Sequence, residues 1–279
     1  MLYTTDTHNA RDQDCGGSTG IFGDERVNLF DAKSAARLYA LGRPYHQDVV
    51  IERFKERLNL DGKLDRALDV ACGTGLSCIA LKGIAKRVCG VDISIEMLDQ
   101  AVRDARIDYA VCPSERLAVG DGAVDLVTVS SAFHWFDRDV FLSEARRVLR
   151  PLGWLVIYNN FFFSRMKENA DFGTWFTSTH LEQFPTPPRD NRRFDEDDAE
   201  RAGFRFIERE WYTNDVSWDA SELADYLLTQ TNVSAVVEDG AWTLAEVREY
   251  LVREVGPFFP ATWRGTFEFG GPIWFLRSA

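Results

Sequence analysis

The sequence predicts an α/β fold with an open parallel sheet and a nucleoside-sized crevice at the carboxyl ends of its strands. Three observations carry that prediction. Residues 66–77, Arg-Ala-Leu-Asp-Val-Ala-Cys-Gly-Thr-Gly-Leu-Ser, read as a short buried strand (Ala67, Leu68, Val70, Ala71), a bend at Gly73 and Gly75, and a helix starting at Leu76. A second apolar run, Val88 to Val91, ends on Asp92, seventeen residues after Gly75. Strand-like and helix-like segments then alternate to about residue 159, the pattern of a parallel sheet. Glycine suits the bend because a closely approaching ligand leaves no room for Cβ, and because such a bend favours positive φ. The helix start adds free N–H groups and the positive end of a dipole. Asp92 stands where ribose hydroxyls are accepted. The ligand predicted is an adenosine-containing cofactor.

A dinucleotide fingerprint requires a third glycine or alanine, so that a pyrophosphate can settle on the helix end. Cys78 occupies that position here, and an acid, Asp69, lies four residues before Gly73. The run Asp69-Val-Ala-Cys-Gly73-Thr-Gly75 resembles motif I of the class I S-adenosylmethionine-dependent methyltransferases. The resemblance implies a Rossmann-like, seven-stranded, mostly parallel sheet with an antiparallel last strand, an N-terminal helical lid and a C-terminal helical cap insertion. It also implies that Asp69 orders the loop and the cationic end of the cofactor, that Ala71, Gly73 and Gly75 frame it, and that Asp92 takes the ribose. S-adenosyl-L-methionine is then the cofactor and S-adenosyl-L-homocysteine the product.

Composition bounds the partners. The chain has 279 residues, 45% hydrophobic and 27% charged, ordinary for a globular enzyme with a sizeable core. A formal charge of −12 argues against nucleic acid, which needs a basic face, and against an anionic membrane surface. No apolar stretch is long enough to span a bilayer, and Met1 to Gly20 is polar, without a signal-peptide core. The five cysteines lack metal-like spacing and read as small apolar residues. A cytoplasmic monomer or homodimer acting on a small molecule is expected.

In chain order, residues 1–30 are assigned to a mobile tail, 31–160 to the cofactor-binding core with its lid helices, and 161–279 to completion of the sheet with a substrate cap over about 215–262. A helix from Asp31 stops at Leu41-Gly42, with Pro44 just beyond. A second carries Val49, Val50, Phe54 and Leu58 at helical spacing. The segment Tyr39-Ala-Leu-Gly-Arg43-Pro-Tyr45 resembles the opening of small-molecule methyltransferases related to trans-aconitate methyltransferase. By that resemblance Arg43 pairs with the cofactor carboxylate and Tyr39 packs over its methionine arm; taken alone, the residues read as a helix end with a dipole-favoured arginine. Ser94 is an N-cap for a helix predicted to about Arg106. The match over Val91-Asp92-Ile93-Ser94 and Met97-Leu98 implies that Ile93 and Met97 flank the adenine, although both also read as core. After the third strand (Ile107 to Cys112), Pro113 stands where the family places an acid, so adenine recognition passes to the Ser114 backbone N–H, and Glu115 positions the turn.

The fourth strand, Ala123 to Ser131, runs into Ala132-Phe-His134-Trp135-Phe136, beyond the carboxyl edge where ligands of open sheets bind. Family precedent gives the carbonyls of Ser130 and Ser131 to the cofactor amine. A helix from Arg138 to Leu149, a turn at Pro151 to Gly153 and a strand from Trp154 to Asn159 follow. Seven of the eight tryptophans and fourteen of the twenty phenylalanines lie after Gly153, which places the aromatic walls in the C-terminal part. Phe161 and Phe162, directly after the fifth strand, are expected in the space above the cofactor. A proline-stiffened loop (184–194), a short helix to Gly203, a strand to Asn214, two cap helices (about 219–231 and 243–255) and a last strand broken near Gly270 complete the chain.

Methyl transfer from a sulfonium needs a nucleophile in line and water excluded, and an aromatic cap suits a cationic donor. His134 is the histidine placed for base catalysis, with a pocket-wall role as the alternative. Trp135 is a pocket wall; His8 in the tail, His46 on a solvated helix and His180 before the proline loop are read as structural or surface residues. Gln230 and Asn232 are candidates for orienting substrate, or else a helix end with its cap. Arg189, Arg192 and Arg193 either greet an anionic acceptor or form a solvated loop. No metal site is expected. The function predicted is methyl transfer to a small, partly aromatic or apolar acceptor, with oxygen as the atom; the alternative is a cofactor-binding protein on the same fold that does not methylate.

Overall fold

The computed structural model describes residues 33–188, 190, 192–259 and 264–279; the predicted tail and Arg189 lie outside the described residues. Two helices, α1 (Lys33–Gly42) and α2 (Gln47–Leu58), precede the sheet. Alternation then runs β1 (Leu64–Val70), α3 (Leu76–Leu81), β2 (Ala85–Asp92), α4 (Ile95–Asp99), β3 (Ile107–Val111), β4 (Val124–Ser130), α5 (Arg138–Val148) and β5 (Leu149–Tyr158). Beyond it come β6 (Phe161–Met166), α6 (Asp171–Trp175), a π-helical turn at Phe176–His180 that leads into α7 (Leu181–Gln183), α8 (Glu196–Arg201) and β7 (Phe204–Trp218). Three cap helices, α9 (Ala220–Leu227), α10 (Thr231–Glu238) and α11 (Leu244–Val255), precede β8 (Gly265–Ser278).

The strands form one sheet in the order β3-β2-β1-β4-β5-β8. Pairing is parallel from β3 to β5 and antiparallel where β8 enters. β8 also takes β6 and, along its whole length, β7. Among the described residues there are eight strands where seven were predicted, and register explains the difference. Tyr158 faces Ile273, and three residues on Phe161 faces Gly270, three residues back. β6 therefore continues β5 along one edge of β8, interrupted only at Asn159-Asn160, and the sheet is seven strands wide. The predicted turn at Pro151 to Gly153 is a bulge within β5, α4 ends seven residues earlier than predicted, and the last strand is unbroken.

Successive strand residues point to opposite faces, and the core divides accordingly. Leu68, Val70, Leu155 and Ile157 pack with Phe141, Leu142 and Ala145 of α5 on one face. Ala67, Trp154 and Val156 pack with Val50 and Phe54 of α2 and with Cys78 and Leu81 of α3 on the other. Val49 of α2 is exposed. A third cluster, around Phe172, Phe184, Leu227 and Phe267, holds the cap. Helix starts follow the capping chemistry written in the sequence. Ser94 accepts from the Met97 N–H at 3.2 Å, and capping boxes close α8, α9 and α11. No helix among the described residues is long and apolar enough to cross a membrane.

Candidate functional site

A cavity of about 680 Å³ opens at the carboxyl edge of the sheet, within the range of small-ligand sites. Its floor is the bend after β1. Gly73 lies at φ +53°, and a Cβ there would stand 3.1 Å from Met97 Cε. The Gly73 N–H donates to Asp92 Oδ2 at 2.8 Å, and the Ser94 N–H to Asp92 Oδ1 at 2.9 Å. Asp92 thus ties the end of β2 to the bend while facing the cavity. Burial raises its carboxyl above the usual range, against the pull of those N–H groups. Ala71 (φ +56°) and Ser131 (φ +53°) both line the cavity in left-handed conformations. Strain of this kind, about 1–3 kcal/mol per residue, gathers at functional sites.

Asp69 does not line the cavity. It is fully buried beneath the bend, accepting from Thr128 Oγ1 at 2.7 Å, from Cys78 Sγ at 3.4 Å and from Ser77 Oγ. Burial pushes its pKa up to about 6, while these donors and the nearby Asp92 charge act in opposite senses. It braces the loop from below and does not itself face the cavity. Gly75 is also off the cavity, and its reason for being glycine is internal: it N-caps α3 at φ +79°, and a Cβ would lie 2.2 Å from the Tyr109 hydroxyl.

One end of the cavity is formed by Ile93, Met97, Ser114 and Glu115. Glu115 accepts from Ser114 Oγ and from the Asp137 N–H, both at 2.9 Å, and so fixes the start of α5. Ser130, Ser131, His134 and Trp135 line the region past β4. The Ser131 N–H donates to the Tyr158 carbonyl, its Oγ accepts from the Asn160 N–H, and the His134 and Trp135 rings stand 4.7 Å apart. Tyr39 and Arg43 of the lid close over the cavity. Arg43 donates from Nη2 to the Thr229 carbonyl at 2.8 Å and lies against the Tyr39 and Tyr226 rings, while its buried Nε has no partner among the described residues.

Four expected pocket residues lie elsewhere. Pairing of β6 with β8 commits Phe161 to the sheet and turns the Phe162 ring into the cap, where it packs against Phe176, Tyr226 and Phe269. Gln230 is the N-cap residue of α10, and its amide donates to the Tyr226 hydroxyl at 3.4 Å. Asn232, 5% exposed, donates to the Phe184 carbonyl at 2.9 Å. Both brace the cap. In their place the cavity takes Tyr226, Phe269, Asn160, Pro187, Pro188 and His46.

His46 overturns its assignment to a solvated helix. It is 9% exposed, its ring stacks on Tyr212 at 6.4 Å, and burial lowers its pKa to about 4. Nδ1 lies 3.3 Å from the Pro44 carbonyl, which can only accept, so Nδ1 carries the proton. Nε2 is left as a buried acceptor without a hydrogen-bond partner among the described residues. Sequence offered one signal, a histidine at a helix start; its burial comes from strands more than a hundred residues away.

The site also fits an adenosine-bearing sulfonium amino acid by its own chemistry. It offers an apolar end, a carboxylate beside a Cβ-free bend, and an orphaned guanidinium nitrogen suited to a carboxylate. Comparison with known proteins agrees. Residues 68–157 match the family described as methyltransferase domain. A candidate methyltransferase of Dictyostelium discoideum is 32% identical over 132 residues, 47% of this chain and 49% of that protein; the chain spans about half the length of the curated relatives it matches. Among solved structures, a candidate type II methyltransferase from Anaeromyxobacter dehalogenans superposes with a TM-score of 0.62 at 25% identity, covering 85% of this chain and 97% of the other. Phosphoethanolamine N-methyltransferase 2 of Haemonchus contortus, in complex with S-adenosylhomocysteine, shares the fold at a TM-score of 0.50 and 19% identity, covering 90% of this chain and 59% of the other.

Proposed function

We propose that this chain, built on a class I S-adenosylmethionine-dependent methyltransferase domain, moves a methyl group to a hydroxyl oxygen of a small, partly apolar metabolite, as in the small-molecule group that its lid segment resembles. The observation that carries the reading is the shared wall of Gly73, Asp92 and Arg43 at one cavity that also holds the rings of Tyr39, Trp135, Phe136, Tyr226 and Phe269. Asp92 holds the ribose, Ile93 and Met97 sandwich the adenine, and Arg43 Nε pairs with the amino-acid carboxylate. When bound, S-adenosylmethionine supplies a methyl made electrophilic by the sulfonium.

The rest falls to the protein. Trp135, Tyr226, Phe269 and the two prolines exclude water and present ring faces to positive charge. His46 Nε2 accepts the acceptor's hydroxyl hydrogen and orients its lone pair. A hydroxyl becomes strongly acidic as its oxygen gains a carbon bond, so an acceptor as weak as a neutral His46 suffices to receive the proton. His134, on the β4 side, walls the acceptor and contributes a second ring nitrogen. The test has two arms: calorimetry with S-adenosylhomocysteine, then mass spectrometry of a metabolite library incubated with methyl-labelled S-adenosylmethionine. Saturable binding together with a labelled product is expected. No binding removes the cofactor assignment, and binding without any labelled product removes methyl transfer.

A further inference from the structure

A second cavity, of about 510 Å³, lies between α5, α8 and the segment that enters α8. Five arginines line it: Arg138 and Arg146 from α5, Arg192 and Arg193 from the segment, and Arg201 from α8. Only Asp139 and Asp198 oppose them in the lining. On a chain with a formal charge of −12, general basicity does not account for such a gathering.

Internal pairing leaves much of this charge uncompensated. Arg201 pairs with Asp198 on its own helix, and Arg192 with Asp190 at 2.8 Å. Arg138, 9% exposed, donates to the carbonyls of Arg192 (2.8 Å) and Asp190 (3.1 Å) and shares the Asp190 carboxylate at 3.3 Å; its buried Nε makes no hydrogen bond. Among the described residues, the side chains of Arg146 and Arg193 make no hydrogen bond or ion pair. Leu142 and Phe194 give the groove an apolar base. Like charges held together in a concavity repel, and an anion there relieves the repulsion while filling the open guanidinium donors.

We propose that this groove binds a phosphoryl dianion, either the phosphate monoester of a small metabolite or the free ion. A phosphoryl group offers three terminal oxygens and two charges to forks arriving from separate elements, where a carboxylate offers two oxygens and one charge. The site is independent of methyl transfer. It shares with the main cavity only the 187–194 segment, whose Pro187, Pro188 and Asp190 line that cavity.

The test is calorimetric titration of the full chain at low ionic strength, with inorganic phosphate in one arm and glycerol 3-phosphate in the other. The comparison is a double variant, Arg146→Gln with Arg193→Gln, both exposed in the parent, with its melting temperature recorded as a control of fold. Saturable binding to the parent, weakened at least about tenfold in the variant, is the expected result. Tighter binding of the ester assigns the groove to a phosphorylated metabolite, and tighter binding of inorganic phosphate assigns it to the free ion. Absence of saturable binding to the parent, or equal affinity in parent and variant, overturns the proposal.

Discussion

Two residues that shape the bend after β1, one at the end of β2 and one within the bend, show how different causes can stand behind one motif. Asp92 both accepts from the loop and faces the cavity. Asp92→Ala therefore removes hydrogen bonds to an ionised acceptor and frees Gly73; S-adenosylhomocysteine affinity should fall by about 1.5–3 kcal/mol. Unchanged affinity in calorimetry would remove the ribose assignment. Gly75 makes the opposite point, because its constraint comes from Tyr109 and positive φ, not from a ligand. Gly75→Ala should destabilise the protein by about 1–3 kcal/mol through strain and overpacking. In a Tyr109→Phe background the nearest atom of that clash is gone, leaving ring carbons at 3.1 Å and 3.4 Å, so the penalty should shrink. Equal penalties in urea denaturation of the two backgrounds would refute the packing explanation.

Among elements, the lid is joined to the cap at one tight crossing. A Cβ on Gly42 at the end of α1 would stand 2.7 Å from Thr229 Cγ2 and 2.8 Å from the Asp225 carbonyl, and the next residue, Arg43, reaches the Thr229 carbonyl. The Asp225 oxygen belongs to backbone in α9, so Gly42→Ala can be accommodated only by moving α1 away from the cap. The expected outcome is faster amide exchange in α1 and weaker S-adenosylhomocysteine binding, with exchange in β1 and β4 unchanged. Protection of α1 equal to that of the parent would show that the crossing yields without opening the lid. This crossing was half legible in sequence. The stop at Leu41-Gly42 before Pro44 marks a helix end, but its partner lies 187 residues downstream in a region where propensity showed two helices instead of three. The phenylalanine run after β5 misled for a related reason. A register shared with β8 decides where each ring points, and no local pattern carries a register set by a strand a hundred residues later. The pairing of Gly73 with Asp92 was readable because it joins consecutive strands only 19 residues apart, whereas the Thr128 partner of Asp69, 59 residues on, was not.

Across the whole molecule, three buried titratable groups compete over one pH interval. His46 and His180 are each lowered to about 4 by burial, and Asp69 is raised to about 6. A histidine unfolds to a pKa near 6.5, so between about pH 4 and 6.5 the unfolded chain binds the proton and the folded one does not. Each histidine therefore lends stability above 6.5 that is lost as pH falls towards 4. Asp69 acts in the reverse sense. Between its unfolded value near 3.9 and about 6 the folded state holds the proton, so its contribution to stability declines as pH rises. His180, enclosed by Phe176, Trp175 and Phe184, accommodates phenylalanine with little change of volume. Near pH 5, His180→Phe should differ from the parent in its stability–pH slope by about one proton, roughly 1.4 kcal/mol per pH unit, becoming relatively more stable as pH falls. Asp69→Asn should differ by a similar amount with the opposite sign, because it removes the term that offsets the histidines. Taking each variant as a difference from the parent cancels the surface carboxylates common to all three chains. Urea denaturation at half-unit steps from pH 4.5 to 7 reads both slopes. Parallel curves for His180→Phe and the parent would mean that the cap admits water to that ring, and parallel curves for Asp69→Asn would mean that the donors beneath the bend keep the aspartate ionised.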